Sequence, residues 1–144
     1  MKSRKLRGKN YSFSPAILKP GQNLLSEISG ELFEIQCEIE PAGAEEFGFT
    51  LRGTALTYNV KENKLLCADK KAKVRLIEGK VKLQILVDRT SIEIFANDGW
   101  ESMFMCFPLD SEKKSLEMFT RGGDVKVRNL NVRKLKSIWS GAEQ

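Results

Sequence analysis

Apolar and polar residues alternate with a period of two along most of this chain. In the segment ELFEIQCEIE, Phe33, Ile35, Cys37 and Ile39 alternate with Glu or Gln. Successive side chains of a β-strand point to opposite faces of the sheet, so this pattern predicts a strand with one buried and one exposed face. The segments EFGFTLRG and SIEIFA alternate in the same way. A chain patterned like this folds by packing the apolar faces of sheets together.

Short turn segments separate the predicted strands. They are Lys61–Asn63, Gly79-Lys80, Asn97-Asp98-Gly99 and Gly122-Gly123. Asn and Asp tolerate the left-handed backbone conformation and Gly adopts it freely, so Asn97-Asp98-Gly99 is the strongest hairpin signal. Turns at intervals of about 8–12 residues, with no amphipathic helix between them, are typical of all-β folds. The prediction is an antiparallel two-sheet β-sandwich of jelly-roll or lectin-like type, with about ten to twelve strands.

The length of 144 residues suits a single domain with its own core. Residues 10–139 are expected to form this domain, residues 1–9 a connector or tail remnant, and residues 140–144 a C-terminal tail. The net charge of +5 has its source in the N-terminal segment, at Lys2, Arg4, Lys5, Arg7 and Lys9. The remaining 19 basic residues match 19 acidic ones. A neutral body lacks the basic surface that nucleic-acid binding requires, so no nucleic-acid partner is expected.

No apolar run approaches the ~18 residues that cross a bilayer, so no membrane span is expected. The basic start of the chain is not followed by the apolar segment of a secretion signal. Because a fragment of a longer protein would lose its signal, localisation stays open among secreted, periplasmic and cytoplasmic.

The reactive side chains restrict the chemistry. The chain has no histidine, which excludes Ser-His-Asp and Cys-His nucleophile systems and the usual catalytic zinc sites. The cysteines Cys37, Cys67 and Cys106 lack the spacing of a metal site and lie in apolar or alternating runs. They are predicted to be buried, reduced thiols of low reactivity. No metal ion or cofactor is expected.

Three acidic residues, Asp88, Glu93 and Asp98, raise the question of a carboxylate pair. Asp88 and Asp98 lie in successive turns, which an extended strand of ~3.3 Å per residue would place about 20–30 Å apart. Glycosidases require paired carboxyls within about 5–9.5 Å. Glu93 lies in mid-strand between two isoleucines, so Glu93 and Phe95 are expected on the outer face of the sheet. No catalytic residue is predicted.

The stretch LQILVDRTSIEIFANDG, Leu83–Gly99, resembles the signature of the C-terminal β-sandwich module of glycoside hydrolase family 32, the β-fructosidases. That signature has an apolar strand, an Asp-Arg-Ser/Thr-Ser turn, a Val/Ile-Glu-Val/Ile-Phe strand and Asn-Asp-Gly. The matching positions, expected to have structural roles, are Asp88, Arg89, Ser91, Glu93, Phe95, Asn97, Asp98 and Gly99. The resemblance covers about residues 4–139.

The resemblance implies that chemistry occurs in a separate N-terminal five-bladed propeller. The Asn-Asp-Pro-Asn-Gly, Arg-Asp-Pro and Glu-Cys motifs of that propeller are absent from this sequence. The chain is therefore expected to be an inactive accessory domain that packs on and stabilises the propeller of a glycosidase acting on fructan or sucrose. Two alternatives stay open. One is a fructan-binding module with Trp100 and Tyr58 as sugar-stacking rings, and the other is a free-standing lectin-like domain.

The segment SMFMCFPL is apolar on both of its predicted faces. Met103, Met105 and Phe107 would point one way, and Phe104 and Cys106 the other. One set is expected to fill the core, and the other, with Phe95, to form a docking patch. Weak self-association through this patch is the expectation for the isolated chain.

Overall fold

The computed structural model describes residues 6–30, 32–68, 70–88, 91–97, 102–106 and 115–136. The side chains of residues 6–9, 102–106 and 136 are outside the description. The described residues form twelve strands. The strands are β1 (Leu6–Phe13), β2 (Ala16–Leu18), β3 (Leu32–Ala42), β4 (Glu46–Leu51), β5 (Thr54–Asn59), β6 (Lys64–Cys67), β7 (Lys70–Lys73), β8 (Val81–Val87), β9 (Ile92–Ala96), β10 (Ser102–Cys106), β11 (Leu116–Arg121) and β12 (Asp124–Lys136). The described residues contain no α-helix, and thus none that could cross a bilayer.

The strands form two antiparallel sheets. The seven-stranded sheet has the order β1-β12-β3-β8-β9-β10, and β2 also pairs with β12. The five-stranded sheet has the order β11-β4-β5-β6-β7. The predicted all-β, antiparallel two-sheet β-sandwich is confirmed, and twelve strands fall within the expected number.

The core lies between the sheets and follows the alternation of the sequence. In β3, Phe33, Ile35 and Ile39 are fully buried and Cys37 is 5% exposed. In β4, which belongs to the five-stranded sheet, Phe47 and Phe49 are also fully buried and point into the core from the other side. The residues that alternate with the buried ones point outward. On β3, β8, β9 and β12, these outward side chains form one continuous outer face.

A bulge in β12 changes the phase of its alternation. Val127 pairs with Ile39, but the next paired residue is Asn129, which lies opposite Glu38. One extra residue in a strand reverses the direction of every side chain that follows it. Val127 and Leu130 are therefore both buried, whereas Asn129 is turned to the outer face.

The turns are partly as expected. Lys61–Asn63 joins β5 to β6, and Asn63 has a left-handed φ of 55°. Gly122-Gly123 joins strands of different sheets, so it leads the chain across the sandwich between β11 and β12. An added Cβ at Gly123 would lie 2.3 Å from the carbonyl carbon of Gly43, which explains why this crossing requires glycine.

One boundary differs from the expectation. Strand β1 begins at Leu6 and pairs Leu6 with Lys136, so residues 6–9 belong to the sheet and are not a tail. At the edge of the five-stranded sheet, β7 pairs only with β6 among the described residues. Residues 1–5 and 140–144 lie outside the described residues.

The cysteine prediction is confirmed for Cys37 and wrong for Cys67. Cys37 is a buried free thiol, whereas Cys67 is fully buried and disulfide-bonded. An odd number of cysteines excludes the pairing of all three, but it allows one disulfide beside one free thiol. The sequence-based prediction neglected this possibility. The side chain of Cys106 lies outside the described residues.

Candidate functional site

The signature stretch folds as β8, a tight turn and β9. Asp88 is exposed, and its backbone N–H donates to the carbonyl oxygen of Ser91 at 2.8 Å, which closes the turn. Arg89 of this turn lies outside the described residues. Asp88 thus marks a turn at the end of a strand, the place where Asx residues commonly occur.

Arg52 anchors this turn to the opposite sheet. Its side chain is only 1% exposed, and its Nη1 donates to the carbonyl oxygen of Asp88 at 3.1 Å. Arg52 occupies a left-handed φ of 49° in the turn between β4 and β5. Sequence reasoning missed this residue, because an Arg next to a turn glycine is ordinarily exposed. The only sequence signal was its position directly after the buried alternation of β4.

Glu93 and Phe95 share the outer face of β9, as expected, because Ile92 and Ile94 are fully buried on the other face. Both outward residues are half-buried. Glu93 lies opposite Leu86 on β8. The wider docking patch expected around Phe95 involves side chains of β10 and residue Phe107, which lie outside the described residues.

Asn97 fixes the end of β9 to its surroundings. It is 5% exposed and has a φ of 52°. Its Nδ2 donates to the Arg75 carbonyl oxygen at 2.9 Å, and its Oδ1 accepts from the Lys82 backbone N–H at 3.2 Å. Asn97 therefore holds the end of β9 through hydrogen bonds within the chain. Asp98, Gly99 and Trp100 lie outside the described residues.

Tyr58 is placed differently from the expectation of a sugar-stacking ring. The residue is fully buried, and its ring packs against Phe47 with centroids 5.3 Å apart. Its hydroxyl donates to the Val74 carbonyl oxygen at 2.7 Å and accepts from Asn63 Nδ2 at 2.9 Å. Burial raises the pKa of Tyr58, and the Asn63 hydrogen bond partly opposes this. A ring in this position has no face open to a sugar.

The strongest candidate for a site is a depression in the outer face of the seven-stranded sheet, with a volume of about 520 Å³. We call it the trough. Its lining includes Ser12, Gln36, Gln84, Phe95, Asn129 and Asn131. The volume lies within the ~300–1,000 Å³ of typical ligand pockets.

The acidic residues beside the trough already have partners. Glu34 accepts from Arg133 Nη1 at 2.8 Å on one oxygen and from Gln84 Nε2 at 3.0 Å on the other. Glu38 accepts from Asn129 Nδ2 at 2.8 Å, and Lys80 Nζ lies 3.8 Å from its second oxygen. Carboxylates held in this way can orient neighbours, but they are not free to act as a general acid and a nucleophile. The described residues also contain no cluster of metal ligands.

Comparison with known proteins identifies the family to which the chain is similar. Residues 2–134 match the family described as glycosyl hydrolases family 32 C terminal. The chain is 33% identical over 154 residues to the levanase of Bacillus subtilis strain 168, covering 91% of this chain and 22% of that protein. It is 33% identical over 158 residues to the levanase of Bacillus sp. strain L7, covering 88% of this chain and 17% of that protein. The chain thus spans about a fifth of the length of these relatives.

Solved structures have the same fold. An Aspergillus awamori exo-inulinase superposes with a TM-score of 0.71 at 20% identity, covering 91% of this chain and 29% of that chain. A Schwanniomyces occidentalis β-fructofuranosidase, crystallised with fructosyl-erythritol, superposes with a TM-score of 0.76 at 12% identity, covering 95% of this chain and 35% of that chain. At these identities the superpositions establish the fold.

Proposed function

The chain belongs to the family of C-terminal domains of glycosyl hydrolases family 32, and we propose that it is the non-catalytic accessory domain of a fructan-cleaving enzyme. The substrate class follows from the two levanases that it resembles at 33% identity. The partner is an N-terminal catalytic propeller of the same parent chain. This partner accords with the small share of each levanase that the chain covers, 22% and 17%.

The observation that carries the proposal is the use of the signature residues within the domain itself. Asp88 closes a turn that Arg52 holds, and both amide atoms of Asn97 bond to the backbone. Polar groups already bonded to their own chain stabilise a scaffold and have little capacity left for a substrate. The accessory domain therefore supports a catalytic domain through its shape and stability.

The test compares the full parent enzyme with a version from which this domain has been removed. We expect the shortened enzyme to melt at a lower temperature, because its propeller would expose the surface that the domain covers. Adding the 144-residue chain in trans should restore part of the loss and protect one propeller face from hydrogen exchange. An unchanged melting temperature and no protection would refute the supporting role.

The non-catalytic part of the proposal has its own assay. The purified chain should release no fructose from sucrose, inulin or levan, because the carboxylates of Glu34, beside the trough, and Glu38, in its lining, are held by partners. Glu93→Ala provides the control for a hidden active site on the outer face. Fructose release that disappears in this variant would show that the chain is an enzyme.

A further inference from the structure

We propose that the trough binds a neutral, hydroxyl-rich oligosaccharide, and specifically a short stretch of fructan chain. The choice of fructan rests on the proposed function. The preference for a neutral sugar rests on the lining of the trough itself.

A straight row of polar side chains crosses the floor of the trough. Ser12 lies opposite Asn131, Asn131 opposite Gln36, Gln36 opposite Gln84, and Gln84 opposite Phe95. Directly opposed residues on neighbouring strands share a face of the sheet. At about 4.8 Å between strands, this row extends for about 19 Å. An extended ligand could therefore contact several amides at once.

The three amides at the centre of the row have unused hydrogen-bonding capacity. Gln36 is exposed, and no hydrogen bond of its side chain occurs in the described part of the chain. Gln84 uses Nε2 on Glu34, which leaves its oxygen for a ligand. The Oδ1 of Asn131 has no hydrogen-bond partner among the described residues, but it is buried, so the side chain would have to turn outward to present this oxygen to a ligand.

Amides and sugar hydroxyls are matched in chemistry. Each amide offers two donors and one acceptor oxygen, and each hydroxyl both donates and accepts. A row of amides can therefore both donate hydrogen bonds to successive hydroxyls and accept hydrogen bonds from them. A carboxylate could only accept, and an ammonium group could only donate. Amides that pair with each other or with the backbone would have lost this capacity, but Gln36 has not.

The charge of the trough favours a neutral ligand over a phosphate or a cation. Glu34, beside the trough, is neutralised by Arg133, and Glu38 lies beside Lys80. Lys82, which also lines the trough, lies opposite Glu38 on the neighbouring strand and is not without a partner. A phosphate site would instead offer unpaired cations, and a cation site would offer unpaired carboxylates. The internal pairing of these charges leaves the amide row as the main recognition feature.

Phe95 adds an apolar surface at one end of the row. Its side chain is half-buried, on the same outer face as Gln84. An aromatic ring can pack against the C–H face of a sugar while neighbouring amides bond to its hydroxyls. A protein-docking surface would have a larger apolar core. Among the described residues, the large exposed apolar side chains are Ile17 and Ile77, and neither belongs to the lining of the trough.

The test is a nuclear magnetic resonance titration of the 144-residue chain, observing the side-chain NH₂ signals of Asn and Gln. The probes are levan and inulin oligosaccharides, with malto-oligosaccharide as a sugar of different shape. We expect the signals of Gln36, Gln84 and Asn131 to shift with fructan at millimolar concentration. The signal of Asn59, on the five-stranded sheet, should remain in place.

Variants assign the shifts to the trough. Gln36→Ala removes an exposed amide without disturbing the core, and it should weaken fructan binding about five-fold, the effect of one net hydrogen bond. Thr57→Ala on the outer face of the five-stranded sheet is the matched control and should bind as the parent does. Retained circular dichroism and melting temperature would show that both variants fold.

Failure of this inference is separable from failure of the proposed function. Absence of amide shifts with every sugar, in a chain that still protects the propeller, would overturn the sugar site and leave the accessory role intact. Perturbation of the same amide signals by the propeller, with no response to fructan, would identify the trough as the docking face and also overturn the inference. Equal weakening in Gln36→Ala and Thr57→Ala would place sugar binding elsewhere and refute it.

Discussion

Replacing Tyr58 with Phe removes a single oxygen from the core, and it should destabilise the domain by about 2–3 kcal/mol. The hydroxyl donates to the Val74 carbonyl oxygen at 2.7 Å and accepts from Asn63 Nδ2 at 2.9 Å. Val74 is fully buried, so water cannot replace the lost donor. The unsatisfied carbonyl accounts for about 1–3 kcal/mol of the loss, and the second hydrogen bond for about 1 kcal/mol. Asn63 retains a longer contact to the Val60 carbonyl oxygen, at 3.4 Å, which keeps the total in the lower half of the summed range of about 2–4 kcal/mol.

Thermal unfolding measures the effect. A chain of 144 residues has an unfolding entropy of about 0.3 kcal/mol/K, so a loss of 2–3 kcal/mol lowers the melting temperature by about 7–10 °C. Calorimetry and urea unfolding should agree on the sign, and the urea slope should not change. Tyr11→Phe is the matched control, because the Tyr11 hydroxyl has no hydrogen bond in the described part of the chain.

The control decides the interpretation. A Tyr58→Phe chain that melts with the parent, or a Tyr11→Phe chain that loses as much stability, would refute the role given to the Tyr58 hydroxyl. Weaker fructan binding in Tyr58→Phe, at an unchanged melting temperature, would indicate that the Tyr58 hydroxyl contacts the sugar.

Three further changes test other parts of the structure. Burial raises the pKa of the Cys37 thiol from 9.0 to about 12, so this thiol ionises at lower pH in the unfolded chain than in the folded one. The free energy of unfolding should therefore be constant below pH 9 and fall by about 1.4 kcal/mol per pH unit above it. Urea unfolding of Cys37→Ala should show a smaller decline at alkaline pH. An added Cβ at Gly48 would lie 1.9 Å from the Leu56 carbonyl oxygen, so Gly48→Ala should destabilise by about 3 kcal/mol, and a stable variant would show that β4 and β5 can separate. Arg52→Lys should lower the free energy of unfolding by about 1–3 kcal/mol, because an ammonium cannot reproduce the guanidinium fork, whereas Arg121→Lys, at an exposed pair, should change it little.

Strands with one buried face could be predicted because their sequence carries the burial pattern. In β3 and β9 every second residue is apolar, and the structure buries that set. The sandwich follows from several such strands in succession. The resemblance of Leu83–Gly99 to a family signature identified the domain, and the match over residues 2–134 confirms it.

Other elements carry no such pattern. Strand β7 reads KKAK and is exposed or half-buried throughout. It exists because β6 offers an unpaired edge, and its lysines suit an edge that must not pair with another chain. The local sequence cannot reveal a strand that is determined by its neighbour. The crossing at Gly122-Gly123 was missed as a sheet-to-sheet connection for a related reason, because a turn signal does not say which strands it joins.

Tyr58 shows the limit of assigning roles to single aromatic residues. Its side chain follows the same alternation as Leu56, both being fully buried in β5. Its parity along the strand therefore indicated the core face. The expectation of a stacking ring followed its residue type and neglected this position.

The amide row of the trough depends on the bulge in β12, and the sequence contains a signal for that bulge. In DVKVRNLNVRKL the apolar residues Val125 and Val127 are spaced by two, but the next apolar residue, Leu130, follows after three. All three are buried, which requires one extra residue between Val127 and Leu130. That shift turns Asn129 and Asn131 outward, opposite Glu38 and Gln36. If every residue after Val127 paired in turn, with no bulge, both asparagines would point into the core, where an unpaired amide is strongly unfavourable. The bulge thus keeps Leu130 in the core and both asparagines on the outer face. Deleting Arg128 should preserve the row, because the remaining residues alternate regularly and Asn131 stays opposite Gln36.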